Sequence, residues 1–392
     1  MVKLDNSEPI GIVGAGTMGS GIAQVAAKNG HIVKIYEVSS EVRSKAQEAL
    51  RKILDRLAEK GKFAEDEAEK IFQRIHFVDD IPQLKNCDAV IEAIIENLEL
   101  KQKIFCDIEK VVSEKSLIAT NTSSLSITSI ASACKRNERV LGIHFFNPAP
   151  ILPLVEIIPG LATSSKAIKQ ARKLIDSWGK TTVLAKDTPG FIVNRIARPF
   201  YSEAIRLLEE GVADVATIDW AMKEIGGFKM GPFELMDLIG NDVNLKVTET
   251  VWEAFFYDPR FKPSFTQKRI VEAEYFGKKS GRGYYEYHED ACNPEPEKNH
   301  NLGEAIFFRI LVMLINEAFD AVFMNVATVE DIELAMTKGV NYPKGLLKWA
   351  HEIGLEKVLK KLEELQEEYG EDRYRPNPLL RRMVRDKQRF FD

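Results

Sequence analysis

The chain has 392 residues, 45% of them hydrophobic and 29% charged, with a formal net charge of −5 at neutral pH. That length suggests two or three domains, and that balance describes an ordinary globular protein. The acidic excess and the lack of a long basic cluster argue against a nucleic-acid partner.

The opening stretch, MVKLDNSEP, has no apolar signal core. From there to residue 186, short Val- and Ile-rich runs (10–13, 32–37, 89–92, 117–120 and 140–143) alternate with longer periodic segments. One of these, 41–60, starts after Ser39 and Ser40 and stops at Gly61. The alternation predicts a doubly wound, mostly parallel sheet. Between its first strand and first helix, IGIVGAGTMGSGIAQVAAKNG places a GxGxxG pattern as Gly14, Gly16 and Gly19, with Thr17 and Met18 inside the turn. Gly14 allows the tight turn, Gly16 admits a pyrophosphate, and Gly19 lets helix and strand pack. The helix N-terminus then offers N–H groups to phosphates. Glu37 ends the next strand, where a carboxylate accepts from ribose hydroxyls and repels a 2′-phosphate, so NAD is expected over NADP.

Further polar residues fall at strand ends and helix starts, in EAIIENLELK (92–101), TNTSSLSI (120–127) and TPGFIVNRI (188–196). Ligands bind at the carboxyl ends of strands in open α/β sheets, which places Glu96 and Ser123 at the crevice. Ser123 could equally serve as a helix cap before SITSIA. Asn194 lies on an otherwise apolar helix. In GIHFFNPAPILPLVEII (142–158), His144 ends one apolar run and Glu156 sits inside another. A buried carboxylate is costly unless paired, and His144 is the obvious partner. A core histidine bonded to a carbonyl, with Glu156 at an exposed edge, is the competing reading.

Beyond Pro189 the pattern is helical only. Residues 190–210 form an amphipathic segment ending at Gly211, and similar segments run to 276. YHEDACNPEPEKNHN (287–301) reads as a linker; His288, Cys292 and His300 within it suit solvent better than zinc, and no metal is expected. After it, EAFDAVFMNVATVEDIELAM (317–336) matches EAIRLLEEGVADVATIDWAM (203–222) at an offset of 114. Arg195 pairs with Arg309, Gly231 with Gly345 and Gly240 with Gly354, and after one deletion Pro263 pairs with Pro376. This register predicts a duplicated helical domain, 187–286 and 302–392. AIFFRILVMLI, the longest apolar stretch, is too short for a bilayer and is broken by Arg309. The four cysteines (Cys87, Cys106, Cys134, Cys292) have no CxxC spacing, which points to reduced thiols in the cytoplasm.

GAGTMG, EAIIENLELK, NTSSLSI, HFFNP, LVEI, DTPGFIVNR, MGPFELMD and GKKSGRGYY stand in the same order as in the L-3-hydroxyacyl-CoA dehydrogenases, which the chain resembles over residues 8–287. The resemblance implies a Rossmann-type NAD-binding domain (1–186). Two tandem all-α domains of the 6-phosphogluconate-dehydrogenase-like C-terminal type would follow, the second degenerate. LPLVEII and the duplication are closer to the dehydrogenase part of multifunctional fatty-acid oxidation proteins. That implies association with, or fusion to, an enoyl-CoA hydratase, although no crotonase-type sequence is present.

The implied reaction is reversible NAD-dependent oxidation of an (S)-3-hydroxyacyl-CoA, as in 3-hydroxybutyryl-CoA dehydrogenases. His144 would take the 3-hydroxyl proton, and Glu156 would orient and stabilise its ring. Ser123 would contact the substrate hydroxyl near the nicotinamide, and Asn194 the same oxygen or the thioester carbonyl. Glu96, Lys101, Asn147 and Lys279 match positions that contact NAD, and Lys52 and Arg56 ones that meet CoA phosphates. Histidine suits proton removal near neutral pH, which supports the dyad on chemical grounds. HFFNP and GKKSGRGYY favour the CoA-thioester branch over a dehydrogenase of free 3-hydroxy acids, of sugar-acid or carnitine type. A non-catalytic NAD-binding protein predicts damage at Ser123, His144, Glu156 or Asn194, and all four are present. In the second helical copy Phe308 stands where the first has Asn194. That copy is expected to pack on the first, giving a monomer or a pseudo-dimer within one chain.

Overall fold

The computed structural model describes residues 9–391, and the chain divides into two compact units at the Thr188–Pro189 bond. The first contains β1 (Ile10–Val13), α1 (Thr17–Lys28), β2 (Val33–Tyr36), α2 (Ser40–Glu59), α3 (Glu65–Gln73), β3 (Ile75–Val78), β4 (Ala89–Glu92) and α4 (Leu98–Val111). It continues with β5 (Leu117–Thr120), α5 (Ile127–Ala131), β6 (Val140–Phe145), β7 (Leu154–Pro159), α6 (Ser165–Ser177) and β8 (Thr181–Leu184). The strand order is β3-β2-β1-β4-β5-β6-β7-β8. All neighbours are parallel except β6 and β7, which run antiparallel.

The central strands are buried on both faces, so they read as continuous apolar runs. Their side chains still alternate: Ile10, Ile12, Ala89 and Ile91 join one core with Ile22 of α1 and Ala171 of α6. Val13, Val90 and Ile118 face the other core, with Phe105 and Ile108 of α4. The five expected strands are all present. β3 and β8, which the periodicity did not single out, are four-residue strands at the two edges of the sheet. Side chains of Ser39, Asn97, Ser126 and Ser164 cap α2, α4, α5 and α6. By contrast, α1 starts at Gly16 with no side-chain cap, which leaves its first amides for a ligand.

The second unit is helical: α7 (Val193–Ile196), α8 (Arg198–Glu209), α9 (Val215–Trp220), α10 (Pro232–Ile239), α11 (Asn241–Ala254) and α12 (Phe265–Glu272). Then follow α13 (His300–Phe323), α14 (Val329–Leu334), α15 (Leu346–Ile353), α16 (Leu355–Tyr369) and α17 (Pro378–Arg385). The segment expected as one helix over 190–210 breaks at Ala197; Pro199 has no N–H with which to continue the ladder. In the equivalent stretch, α13 has no proline and runs unbroken for 24 residues.

The repeat recurs in local geometry. Asp219 accepts from the Phe233 and Glu234 amides at 2.9 Å each, and its equivalent Glu333 accepts from Leu347 at 2.8 Å and Lys348 at 3.3 Å. In each copy a glycine, Gly231 or Gly345, leaves room for that carboxylate at the helix N-terminus. The copies exchange ion pairs reciprocally. Arg260 reaches Glu317 at 3.1 Å and Arg373 reaches Glu203 at 3.7 Å; Glu203 and Glu317 are equivalent at an offset of 114, Arg260 and Arg373 at 113. Arg309 adds a pair to Glu203 at 2.6 Å, with Glu210 at 2.7 Å beside it. Both members of the Arg309–Glu203 pair are buried, and breaking one member of such a pair strands a charge. Arg309→Met should therefore destabilise the chain by about 3–5 kcal/mol, read as a lower denaturation midpoint.

Candidate active site

Strand order reverses where β1 lies between β2 and β4, so the loops after β1 and β4 open a crevice at their carboxyl ends. Gly14 follows β1 with φ +104°, and a Cβ there would stand 2.7 Å from the Ala93 carbonyl. A Cβ on Gly19 would stand 2.0 Å from the Gly14 carbonyl, so only glycine permits that approach of helix to strand. A Cβ on Gly16 would meet nothing within 4 Å. Gly16 therefore borders open space, beside exposed Thr17 and half-buried Met18. Just after β2, the Glu37 carboxylate accepts from the Ser39 amide at 3.2 Å and the Ala15 amide at 3.4 Å. It is thereby held toward the glycine turn. An uncapped helix start, an open glycine and a fixed carboxylate fit a dinucleotide's pyrophosphate and ribose.

A second group of polar residues forms at the ends of β4 and β5. Glu92, the last residue of β4, is fully buried. Its Oε1 accepts from Lys101 Nζ at 2.5 Å and the Ile94 amide at 2.7 Å, and its Oε2 accepts from Thr120 Oγ1 at 2.7 Å. Lys101 also reaches Glu96 Oε2 at 3.1 Å. The other Glu96 oxygen accepts from Thr122 Oγ1 at 2.6 Å, the Ser123 amide at 3.0 Å and Ser124 Oγ at 3.2 Å. Burial works to raise the Glu96 carboxyl, but Lys101 and the bonds from Thr122 and Ser123 outweigh it and hold it below its ordinary range. Ser123 is thus presented by a turn tied to Glu96. It does not cap α5; Ser126 does. Asp187 braces the same helix, accepting from the Ile127 amide at 2.9 Å and the Thr128 amide at 2.8 Å.

His144 and Glu156 lie opposite one another in the antiparallel register of β6 and β7. Both are buried, and Nδ1 stands 2.7 Å from Glu156 Oε2. Phe146 packs on the imidazole, with ring centroids 4.5 Å apart. The apolar runs that carry the two residues are thus one hairpin, and the pairing satisfies the buried carboxylate. The following loop contains exposed Asn147. It is pinned by Lys180 Nζ, which donates to the Ala149 carbonyl at 2.6 Å and the Leu152 carbonyl at 2.8 Å.

In the second unit, Asn194 is half-buried on α7. Lys279 Nζ donates to both oxygens of Asp242, at 2.6 and 2.7 Å. Lys52 and Arg56 are exposed on α2, in the first unit. Sequence reasoning had not singled out Glu92, Thr120, Thr122, Lys180 or Asp187. A signal existed for Glu92: it is a carboxylate closing the apolar run AVIE, with a lysine nine residues on in the next helix.

A family model described as "3-hydroxyacyl-CoA dehydrogenase, NAD binding domain" matches residues 9–188. One described as "3-hydroxyacyl-CoA dehydrogenase, C-terminal domain" matches 190–287 and again 306–389. The chain is 38% identical to 3-hydroxyadipyl-CoA dehydrogenase of Escherichia coli (strain K12), over 96% of this chain and 97% of that one. It is 41% identical to the mitochondrial hydroxyacyl-coenzyme A dehydrogenase of Sus scrofa, over 70% of this chain and 90% of the relative. Among solved structures, 3-hydroxybutyryl-CoA dehydrogenase from Escherichia coli K12 superposes with a TM-score of 0.89 at 38% identity, covering 96% of this chain and 98% of that one. The glycine turn, the buried His–Glu pair and these matches together show that the chain belongs to the 3-hydroxyacyl-CoA dehydrogenase family.

Proposed function

We propose that the protein oxidises an (S)-3-hydroxyacyl-CoA to the 3-oxoacyl-CoA, reversibly, with NAD as the acceptor of the C3 hydride. The observation that carries the mechanism is the buried 2.7 Å contact between His144 Nδ1 and Glu156. A carboxylate on Nδ1 selects the tautomer in which Nε2 is the basic nitrogen, and it stabilises the imidazolium that forms. His144 then takes the 3-hydroxyl proton as the C3 hydride departs and the C–O bond becomes C=O. Ser123 donates to the same oxygen. On the second unit, Asn194 is assigned to the substrate and Lys279 to the cofactor from the family pattern alone, as are Asn147 with the cofactor and Lys52 and Arg56 with CoA phosphates. A 3-hydroxyacyl-CoA has the chemistry of a hydrated enoyl-CoA, so a hydratase is the class of enzyme that supplies it. The four unpaired cysteines suit a cytoplasmic setting.

The reading is tested by NADH oxidation across a ladder of 3-oxoacyl-CoA chain lengths, with a free 3-oxo acid as control. His144→Gln should lower kcat by a factor on the order of 10²–10⁴ while NADH still binds. Near-normal turnover by the purified variant would sink the dyad mechanism.

Glu37 sets the cofactor preference by repelling a 2′-phosphate. The wild type should favour NADH over NADPH by at least roughly tenfold in kcat/KM, about 1.4 kcal/mol. Glu37→Ser should narrow that gap, and equal use of both cofactors by the wild type would refute the assignment.

The reciprocal arginine–glutamate pairs support one further proposal, on assembly. The second helical copy (302–392) packs on the first within the chain, at an effective concentration roughly in the millimolar range because the linker joins the two, and covers a surface that would otherwise pair with a second chain. One active site per chain follows, with packing as the second copy's task. Chain cut after residue 290 should sediment as a homodimer or an aggregate, and the full chain without a dimer through its first copy. A truncated form that stays a stable monomer would count against this.

A further inference from the structure

We propose that Arg198 binds a carboxylate at the far end of the substrate's acyl chain, so that the preferred substrates are 3-hydroxyacyl-CoA thioesters of dicarboxylic acids. The inference rests on the reading of the protein as a 3-hydroxyacyl-CoA dehydrogenase with Asn194 at the substrate. Among the described residues five arginines are buried: Arg139, Arg195, Arg198, Arg309 and Arg373. Four of them meet carboxylates: Arg139 meets Glu109, Arg195 meets Asp320, Arg309 meets Glu203 and Arg373 meets Glu371. Arg198 meets none. Its partners among the described residues are the Asn194 carbonyl, 3.1 Å from Nε, and Thr248 Oγ1, 3.3 Å from Nη1. A guanidinium has five N–H donors and stays charged. A buried charge without a counter-ion is costly, so the remaining donors of Arg198 call for an anion from outside the fold.

The surroundings fit a carboxylate. Tyr201 lies one turn further along α8, with its ring centroid 4.8 Å from the guanidinium. Burial pulls Arg198 below its ordinary range, and Tyr201 and Tyr342 are the groups that oppose this. Tyr342 comes from the second helical copy; its hydroxyl is enclosed and has no partner among the described residues. Phe200 and Phe228 pack on Tyr342, with ring centroids 5.9 and 5.0 Å away. Hydrogen-bond donors within an aromatic wall suit a planar anion, which a guanidinium can hold through two parallel bonds.

The internal repeat shows that this polarity is not a packing need. At the offset of 114, Asn194, Arg198 and Tyr201 correspond to Phe308, Val312 and Ile315. Asn244 and Thr248 correspond to Val358 and Leu362, and past the deletion Gln267 corresponds to Leu380. In the first copy Gln267 bridges Asn244 Oδ1 at 2.7 Å and Thr248 Oγ1 at 3.1 Å. In the second, Val312, Ile315, Val358, Leu362 and Leu380 are all fully buried. The same frame thus packs an apolar core where the first copy keeps a polar pocket around one charge. Arg195, which pairs with Asp320, persists in the second copy as Arg309. The copy without the substrate asparagine has lost Arg198 and its surroundings, and has kept the arginine that holds the frame. Asn194 and Arg198 are one helical turn apart, about 5.4 Å along the axis. A chain that meets Asn194 near its thioester end therefore needs only a short extension to bring a terminal carboxylate to Arg198.

The test is NADH oxidation by the full chain with matched pairs of 3-oxoacyl-CoA substrates, about five to eight carbons long so as to span that turn. One member of each pair ends in a methyl group and the other in a carboxylate. In at least one pair the carboxylate member should be preferred by about tenfold or more in kcat/KM. In Arg198→Met, with its fold checked by circular dichroism, that ratio should fall to about one or below. A wild type that prefers the carboxylate member of no pair overturns the proposal, and that result needs no variant to fold. So does a variant in which both members lose activity in equal proportion. Both carry the same CoA phosphates, so an equal loss would place Arg198 on CoA or in the frame. Neither outcome touches the dehydrogenase reading, which fails only if the wild type oxidises NADH with no member of any pair.

Discussion

The reversal of strand order between β1 and β4 is the constraint on which the first unit depends. Crossovers on opposite sides of that point leave the carboxyl ends of two adjacent strands uncovered, and a crevice must open there. Several polar groups of the candidate site stand on residues that end a strand or follow one, whereas His144 and Glu156 lie within β6 and β7. Gly14 follows β1, Glu37 follows β2, Glu92 closes β4, and Ser123 lies three residues beyond β5. Within the sheet, whose central strands are buried on both faces, the carboxylate of Glu156 stands with His144 as its partner.

Charge is brought into that apolar setting only in company. Glu156 lies on β7, paired between β6 and β8, and meets His144. Glu92 meets Lys101, the Thr120 hydroxyl and the Ile94 amide. Asp187 spends both oxygens on the first amides of α5. Each arrangement satisfies an expensive carboxylate and, in doing so, fixes a neighbour: a ring tautomer, a turn, a helix start. The helical unit follows the same rule, with Glu203 and Glu317 buried and answered by arginines from the opposite copy.

Duplication freed one copy from the family's polar pattern without altering its frame. The carboxylate at the start of α10 and α15 persists as Asp219 and Glu333, one methylene apart in length. Gly240 and Gly354 keep positive φ values of 105° and 99°. Phe308 replaces the asparagine, and His351 stands where the first copy has Asp237. Asp237 gathers the amides of Tyr284 and Tyr285, whereas His351 Nε2 accepts from the Phe390 amide. The frame is conserved where backbone geometry demands it and has drifted where only polar partners were at stake.

The linear chain determined the sheet class, the glycine turn with Glu37, the register of the repeat, and the residues of the His144–Glu156 pair. These depend on period, on glycine's conformational range and on the cost of a carboxylate in an apolar run, all of which are local or pairwise properties. It left open whether His144 met a backbone carbonyl or Glu156, and only the antiparallel register of β6 and β7 decided that. β3 and β8 escaped notice because four residues at a sheet edge carry too little pattern. Spacing hinted at a partner for Glu92, but only the fold shows that Glu92 and Lys101 are buried together while Glu96 is exposed. Lys180 and Asp187 act on loops 28 to 61 residues away in sequence. Such contacts exist only once the sheet has brought distant strand ends together, because burial and hydrogen-bond saturation are properties of the folded surroundings and not of the residue.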